Sequence, residues 1–454
     1  MIEKLKKILS NVEAEFADIR YEKKDESTVS FDNHDLHQIG NNSSDGYVIR
    51  VLKNGGFSSI SFNSIDDAPK AIKTAIENAT LLGKRLKKPV ILAKSEVIKD
   101  SYNPPLTEDP EKISIEEKYD IIKRYNDLAL ANPEISSTTF HIFDLIRNRF
   151  YVNTEGTEIS EKLVTTGVSG ILIAKKGNIL QNVRVSCGGS DGFKNVRNQE
   201  EYVESRVKIA VDLLNAKPVE GGVYNVILNQ SLAGVFTHEA FGHFSEADLI
   251  EDAKVMRERM KLGNKLGNDI LNIQDDPTIP HQLGFYKYDD EGVAAAKVQL
   301  MKNGILTGRL HSRRTAAEFG EPINGHCIAE DYRYAPIIRM GTIFIEPGES
   351  TFEQLISKLG DGLYLCDAKG GQTAGENFTF GAQYGYLVKN GKIDSMIKDI
   401  NIAGNLYDTL KNIVAIGNDL ELCKNGGCGK GQLNIRSCHG APHILIEKLV
   451  VGGR

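Results

Sequence analysis

Apolar residues first recur at helical spacing. Leu5, Ile8, Leu9, Val12 and Phe16 fall on one stripe, which predicts an amphipathic helix near the start of the chain. The pattern then switches to strand-like runs. ADIRYEK and STVSF are followed by GYVIRVL and FSSISF, which meet across Lys53-Asn54-Gly55-Gly56 and read as a hairpin. A second helix is expected over about 66–84. Asn103-Pro104-Pro105 and Asp109-Pro110 then mark a linker, because proline-rich polar segments resist both helix and sheet. Ser114 followed by Glu117 is a capping-box pattern that opens a helix ending before Asn132-Pro133. Strand-rich runs with turns at Asn153-Thr154-Glu155-Gly156 and Lys176-Gly177-Asn178 lead to a helix near 198–216, stopped by Pro218. From Gly222 a short strand, VYNVIL, enters one helix, and strands, glycines and loops follow it. No repeat of fixed period interrupts this order.

The pattern predicts an α+β chain in three parts. An N-terminal α/β-mixed unit takes residues 1–95, a second α+β unit takes 96–220, and a β-rich C-terminal catalytic domain takes 221–454. The length of 454 residues, about three times the commonest domain size, agrees with that division. Hydrophobic residues at 41% and charged residues at 26% give an ordinary globular balance. A net charge of -6 and the absence of tryptophan argue against a nucleic-acid partner. The first residues lack the apolar core of a secretory signal, and the longest apolar run, GVSGILIA, ends at Lys175-Lys176. The expectation is therefore a soluble cytoplasmic protein with no membrane span. Six cysteines are too few for a disulfide scaffold, so they are read as free thiols or metal ligands.

The most informative stretch is Asn229-Gln230-Ser231-Leu232-Ala233-Gly234-Val235-Phe236-Thr237-His238-Glu239-Ala240-Phe241-Gly242-His243. Ser231 is placed to cap the helix. Two imidazoles with a glutamate beside the first are what a zinc hydrolase needs: the rings hold the ion, and the carboxylate acts as general base on the water it activates. The usual motif spaces its histidines four apart. Here they are five apart, which on an ideal helix separates them by about 140°. A regular α-helix cannot aim both at one ion, so a π-bulge or kink is required, with Gly242 the position where the backbone deforms at least steric cost. By spacing alone, two ligands and two unrelated histidines remain alternatives.

HEAFGHFSEAD (238–248), together with DDEG (289–292), NGIL (303–306) and CGKGQ (428–432), resembles the TldD/PmbA family of metalloproteases. The likeness is to the TldD side, which keeps an HExxxH motif that the PmbA (TldE) side lacks. It runs nearly end to end, from DIRYE and GYVIRVLKNGGFSS to the glycine-rich stretches over 362–393. The resemblance implies a zinc peptidase, one Zn2+ per chain, bound by His238, His243 and a third ligand, Cys428, with Glu239 catalytic. His2Cys with an open fourth position is an accepted catalytic zinc environment. The resemblance further implies peptide or unfolded-protein substrates, and assembly either as a homodimer or as a heterodimer with a PmbA (TldE)-type partner. One residue fewer than the family pattern separates Lys430 from Gly431.

Other residues offer rival readings. Cys423, Cys438, His439 and His443 could form a separate structural zinc site with Cys428, although they lack paired CxxC elements. Glu246 and Asp248 are rival third ligands, or hydrogen-bond partners of a ligating imidazole. Cys187, Cys327 and Cys366 read as small core thiols, His281, His311 and His326 as structural or exposed, and His34 and His37 as solvated. Arg257, Arg259, Lys261 and Lys265 read as a solvated face. Gly370-Gly371 and the glycines around Cys428 lack a phosphate-loop layout and read as places of close backbone approach. Two further functions stay open: a non-catalytic peptide-binding subunit with a structural metal, and a metal-dependent amidase acting on small molecules.

Overall fold

The computed structural model describes residues 1–424 and 426–453. Helix α1 (Ile2–Leu9) buries Leu5 and Leu9, two of the predicted stripe. Strands β1 (Phe16–Asp32), β2 (Asp35–Lys53) and β3 (Gly56–Phe62) form antiparallel pairs. Lys53 pairs with Gly56, so the β2–β3 turn is Asn54-Gly55. Both take positive φ, 52° and 73°, the type I′ conformation that selects Asn-Gly. Helix α2 (Ala68–Gly83) lays Ala71, Ala75 and Ala79 on this sheet. The approach is close: a Cβ on Gly56 would stand 2.0 Å from the Ala79 carbonyl oxygen.

The chain continues through β4 (Lys99–Tyr102), α3 (Ile115–Leu130), β5 (Ile135–Asn153), β6 (Glu158–Lys176), β7 (Ile179–Gly189) and α4 (Glu200–Asn215). Ser114 caps α3 by accepting the Glu117 N–H at 3.2 Å. Between β4 and α3 the prolines allow only one short 3-10 turn, Pro110–Lys112. β1 and β5 pair antiparallel from Asp18↔Asn153 to Asp32↔Thr139. One seven-stranded sheet, in the order β3-β2-β1-β5-β6-β4 with β7 on β6, therefore spans both sides of residue 95.

The C-terminal part holds two larger sheets. One has eight strands, and five of them close a ring: Gly362–Ala374, Gly222–Leu228, Ile444–Gly452, Ile400–Asn405 and Asn377–Lys389. The other has six short strands, with Thr342–Ile345 beside Cys438–Ala441 near one edge. Helix α5 (Gln230–Phe236) lies between them, packed on Cys438–Ala441 and on Gly362–Ala374. Leu232, Ala233, Phe236, Ala240 and Phe241 join the largest apolar core there. The N-terminal sheet docks on this part through buried ion pairs: Arg20 and Arg149 each reach Asp290 at 2.8 Å, and Arg50 reaches Glu291 at 2.8 Å. No helix among the described residues is long and apolar enough to cross a membrane.

Candidate metal centre

Helix α5 starts two residues earlier than the sequence suggests. Asn229, not Ser231, is the cap: its Oδ1 accepts the Leu232 N–H at 3.0 Å. The same side chain accepts the Asp367 N–H and donates to Asp367 Oδ1, both at 3.0 Å. The amide thereby serves both the helix and the neighbouring strand.

After Phe236 the helix widens. Thr237–Phe241 is a π-helical turn, closed by the Gly242 N–H on the Thr237 carbonyl, and Gly242–Ser245 is a 3-10 turn. Five-residue ring closure is what brings residues i and i+5 to one side, so His238 and His243 converge. Their ring centroids are 5.3 Å apart. The deformation lies before Gly242, whose φ of −57° is ordinary helix. Glycine is needed there for space instead: a Cβ would stand 2.1 Å from Met340 Sδ. The Thr373 hydroxyl donates to the Glu239 carbonyl at 3.1 Å, tying the widened turn to the adjoining strand.

Cys428 comes from a loop that doubles back on itself. Its N–H donates to the Ile435 carbonyl at 3.0 Å and its carbonyl accepts the Ile435 N–H at 2.9 Å. Lys430 anchors this loop, with Nζ 2.8 Å from Glu246 Oε2 and 2.7 Å from Asp248 Oδ1. Glu246 is fully buried. It also lies 3.5 Å from His243 Nδ1 and 3.1 Å from Arg339 Nη1.

His238, Glu239, His243 and Cys428 end up with ligand atoms all within 4.8 Å of one another. Cys428 Sγ is 3.7 Å and Glu239 Oε2 3.5 Å from His243 Nε2. Burial, then the imidazoles of His439 and His243 and the Arg339 cation, hold the His238 pKa well below its usual value. Burial acts the same way on His243, but hydrogen bonding to Cys428, Glu239 and Glu246 outweighs it and carries the ring up to about 11. Both ring nitrogens of His238 are buried with no hydrogen-bond partner among the described residues. Orphaned buried nitrogens are costly, and the set beside them favours positive charge. These residues fit a metal cation, and imidazole nitrogens with a thiolate sulfur are donors that suit zinc among others. Above them opens a cavity of about 910 Å³, walled by α4 and β7 on one side and by His238, Glu239, Gly370 and Gly371 on the other.

Three family models match the chain in order: PmbA/TldA metallopeptidase domain 1 over residues 17–80, the central domain over 108–217, and the C-terminal domain over 221–453. A metalloprotease of Synechocystis is 34% identical over 444 residues, 97% of this chain and 95% of that one. The chain belongs to the PmbA/TldD metallopeptidase family. A zinc metalloprotease TldD homolog of Saccharolobus solfataricus is 30% identical over 448 residues, 97% of each chain. TldE from Thermococcus kodakarensis, at 18% identity, shares the fold with a TM-score of 0.77 over 100% of this chain and 99% of that one.

Outside the PmbA/TldD motif the remaining candidates separate. Cys423, Cys438, His439 and His443 form no second metal-capable cluster among the described residues. His443 instead bonds Asp419 at 2.6 Å and the Tyr364 hydroxyl at 3.0 Å. Glu246 faces His243 from behind, and Asp248 belongs to Lys430. Cys187, Cys327 and Cys366 are buried thiols. His311 and His326 are buried against Glu321 and Asp275, at 2.9 and 3.1 Å. His281 pairs with Asp191 at 3.3 Å, and His34 and His37 are exposed. Lys430 and Arg339 are not singled out by the sequence, and His439, read there as part of a second zinc site, instead lines the cavity with His238. Only the closeness of Lys430 to Cys428 in CGKGQ hinted at a role.

Proposed function

We propose that this chain is a zinc-dependent peptidase that hydrolyses peptide bonds in peptides or unfolded polypeptides. The observation that carries the reading is the convergence of His238, Glu239, His243 and Cys428 within 4.8 Å, two of which, His238 and Glu239, line the 910 Å³ cavity. His238, His243 and Cys428 would hold one Zn2+ per chain. When bound, the ion supplies Lewis acidity and lowers the pKa of water towards 7. Glu239, next in sequence to the first ligand, takes the proton from the attacking water and delivers it to the leaving amine. Glu246 orients the His243 ring through Nδ1, and Lys430 fixes the loop that presents Cys428.

The strand Gly362–Ala374 lines the cavity through Asp367, Ala368, Gly370 and Gly371 and would offer backbone groups to an extended peptide. Assembly follows the same family logic, as a homodimer or with a TldE-type partner. The same reading places this work in the reducing cytoplasm, where buried thiols such as Cys187, Cys327 and Cys366 stay reduced. A Glu239→Gln variant tests the reading. It is expected to bind zinc as the wild type does and to lose hydrolysis of unfolded casein by about 100- to 10,000-fold. Undiminished cleavage contradicts the assignment.

A further inference from the structure

One more imidazole reaches the cavity without a task. We propose that His439 is a catalytic residue of this peptidase, whose ring N–H donates a hydrogen bond to the carbonyl oxygen of the scissile peptide bond as that oxygen becomes negative. The inference rests on the peptidase reading and adds a residue to it.

His439 lies on the strand Cys438–Ala441 and lines the same cavity as His238 and Glu239. Its ring centroid is 5.8 Å from that of His238. It stands outside the group whose ligand atoms lie within 4.8 Å of one another, so it is placed to meet what fills the cavity, not to join the ligands. The backbone is fixed, since its carbonyl accepts the Cys423 N–H at 2.9 Å. The ring is seated against α5 at Gly234, where a Cβ would stand 2.9 Å from His439 Cδ2. That glycine leaves room for the ring beside the helix that carries His238.

The other histidines of the C-terminal part are engaged. His311, His326 and His443 bond Glu321, Asp275 and Asp419 at 2.9, 3.1 and 2.6 Å. His439 makes no such bond to a described residue. A buried structural histidine normally satisfies its nitrogens with protein partners, whereas one that serves a substrate leaves a donor free.

The step balances without a further reactant. Water oxygen adds to the carbonyl carbon, the C=O π pair moves to oxygen, and the water proton passes to Glu239. The C–N bond then breaks as Glu239 returns the proton to the amine. His439 keeps its proton throughout and stabilises the oxyanion by a preorganised hydrogen bond. Loss of one such donor typically lowers kcat by about 100- to 1,000-fold.

The test compares wild type, His439→Ala and His439→Gln for zinc content, casein hydrolysis, and binding of a phosphonamidate analogue of the peptide cleaved fastest. Both variants should keep wild-type zinc. The alanine variant should lose about 100-fold in kcat with KM within about twofold, and bind the tetrahedral analogue more weakly by a similar factor. Glutamine, which keeps an N–H donor, should recover part of both losses. Wild-type kcat in the alanine variant overturns the proposal, and so does loss of zinc, which would make His439 a ligand. Failure of the wild-type chain to cleave casein, alone and with a TldE-type partner, is a different result: it removes the peptidase reading itself.

Discussion

Glu246 shows how much of the centre depends on a residue that binds no ion. It is fully buried, and its carboxylate is shared by His243, Arg339 and Lys430. Burial alone would raise its pKa, but His243, Arg339 and Lys430 outweigh that and hold it ionised below the usual range. Through Lys430 it pins the Cys428 loop against the helix that carries the histidines. Lys430→Met should therefore weaken zinc binding by about 10- to 100-fold although every ligand remains. Competition with a chromophoric chelator measures this, and unchanged affinity would contradict the anchoring role. The convergence of His238, Glu239, His243 and Cys428 was legible because their chemistry is written in neighbouring letters or carried by a resemblance. The role of Lys430 was not, nor was the place of His439 beside His238, since their neighbours lie about two hundred positions away: 184 residues separate Lys430 from Glu246. Only the fold brings them together.

At the scale of elements, the irregular helix is the point of interest. Histidines five apart could share an ion only through a widened turn, so the need for irregularity was visible in the spacing alone. Its location was not. Sequence reasoning assigned the deformation to Gly242 for its backbone freedom, yet the π turn covers Thr237–Phe241 and Gly242 serves close packing on Met340. Packing partners from a distant segment of the chain cannot be read from local letters. Gly242→Ala should cost about 1–3 kcal/mol by overpacking and weaken zinc binding with it. Met340→Ala in the same chain should restore part of both, measured by denaturant unfolding and zinc titration. A neutral Gly242→Ala would mean that the contact does not constrain the turn. The cap tells the same story in small: Ser231 was a reasonable local choice, but Asn229 also reaches Asp367 across the sheet.

The whole molecule depends on an ionic seam that places one wall of the cavity. DDEG was recognisable only as part of a family likeness. The structure gives it work: Asp290 sits between Arg20 and Arg149, Glu291 receives Arg50, and Gly292, at φ 74°, leaves room for Tyr151. Several strands of the seven-stranded sheet were expected from their apolar runs, but β4 and the continuity of the sheet across residue 95 were not, because pairing between β1 and β5 is a long-range choice. Burial would raise the Asp290 pKa; Arg20, Arg149 and Arg147 outweigh it and bring it down to about 2. The unfolded value is about 3.9, so its stabilisation is complete above that pH and is lost as the pH falls towards 2. Asp290→Asn should destabilise the chain by about 3–5 kcal/mol at neutral pH, since it leaves the buried Arg20 guanidinium without a carboxylate and Arg149 with Glu161 alone. It should also flatten the acid limb of the stability profile. Wild-type stability in that variant would show that the seam contributes nothing net.

The central claim is that His238, His243 and Cys428 form one open zinc site. Diffraction data collected on either side of the zinc absorption edge test it most directly. The account predicts one anomalous peak per chain, about 2.0–2.3 Å from a nitrogen of His238, a nitrogen of His243 and Cys428 Sγ, with no structural fourth ligand from the protein. A peak at Cys423 and Cys438, or a centre closed by a fourth side chain such as His439, would contradict it.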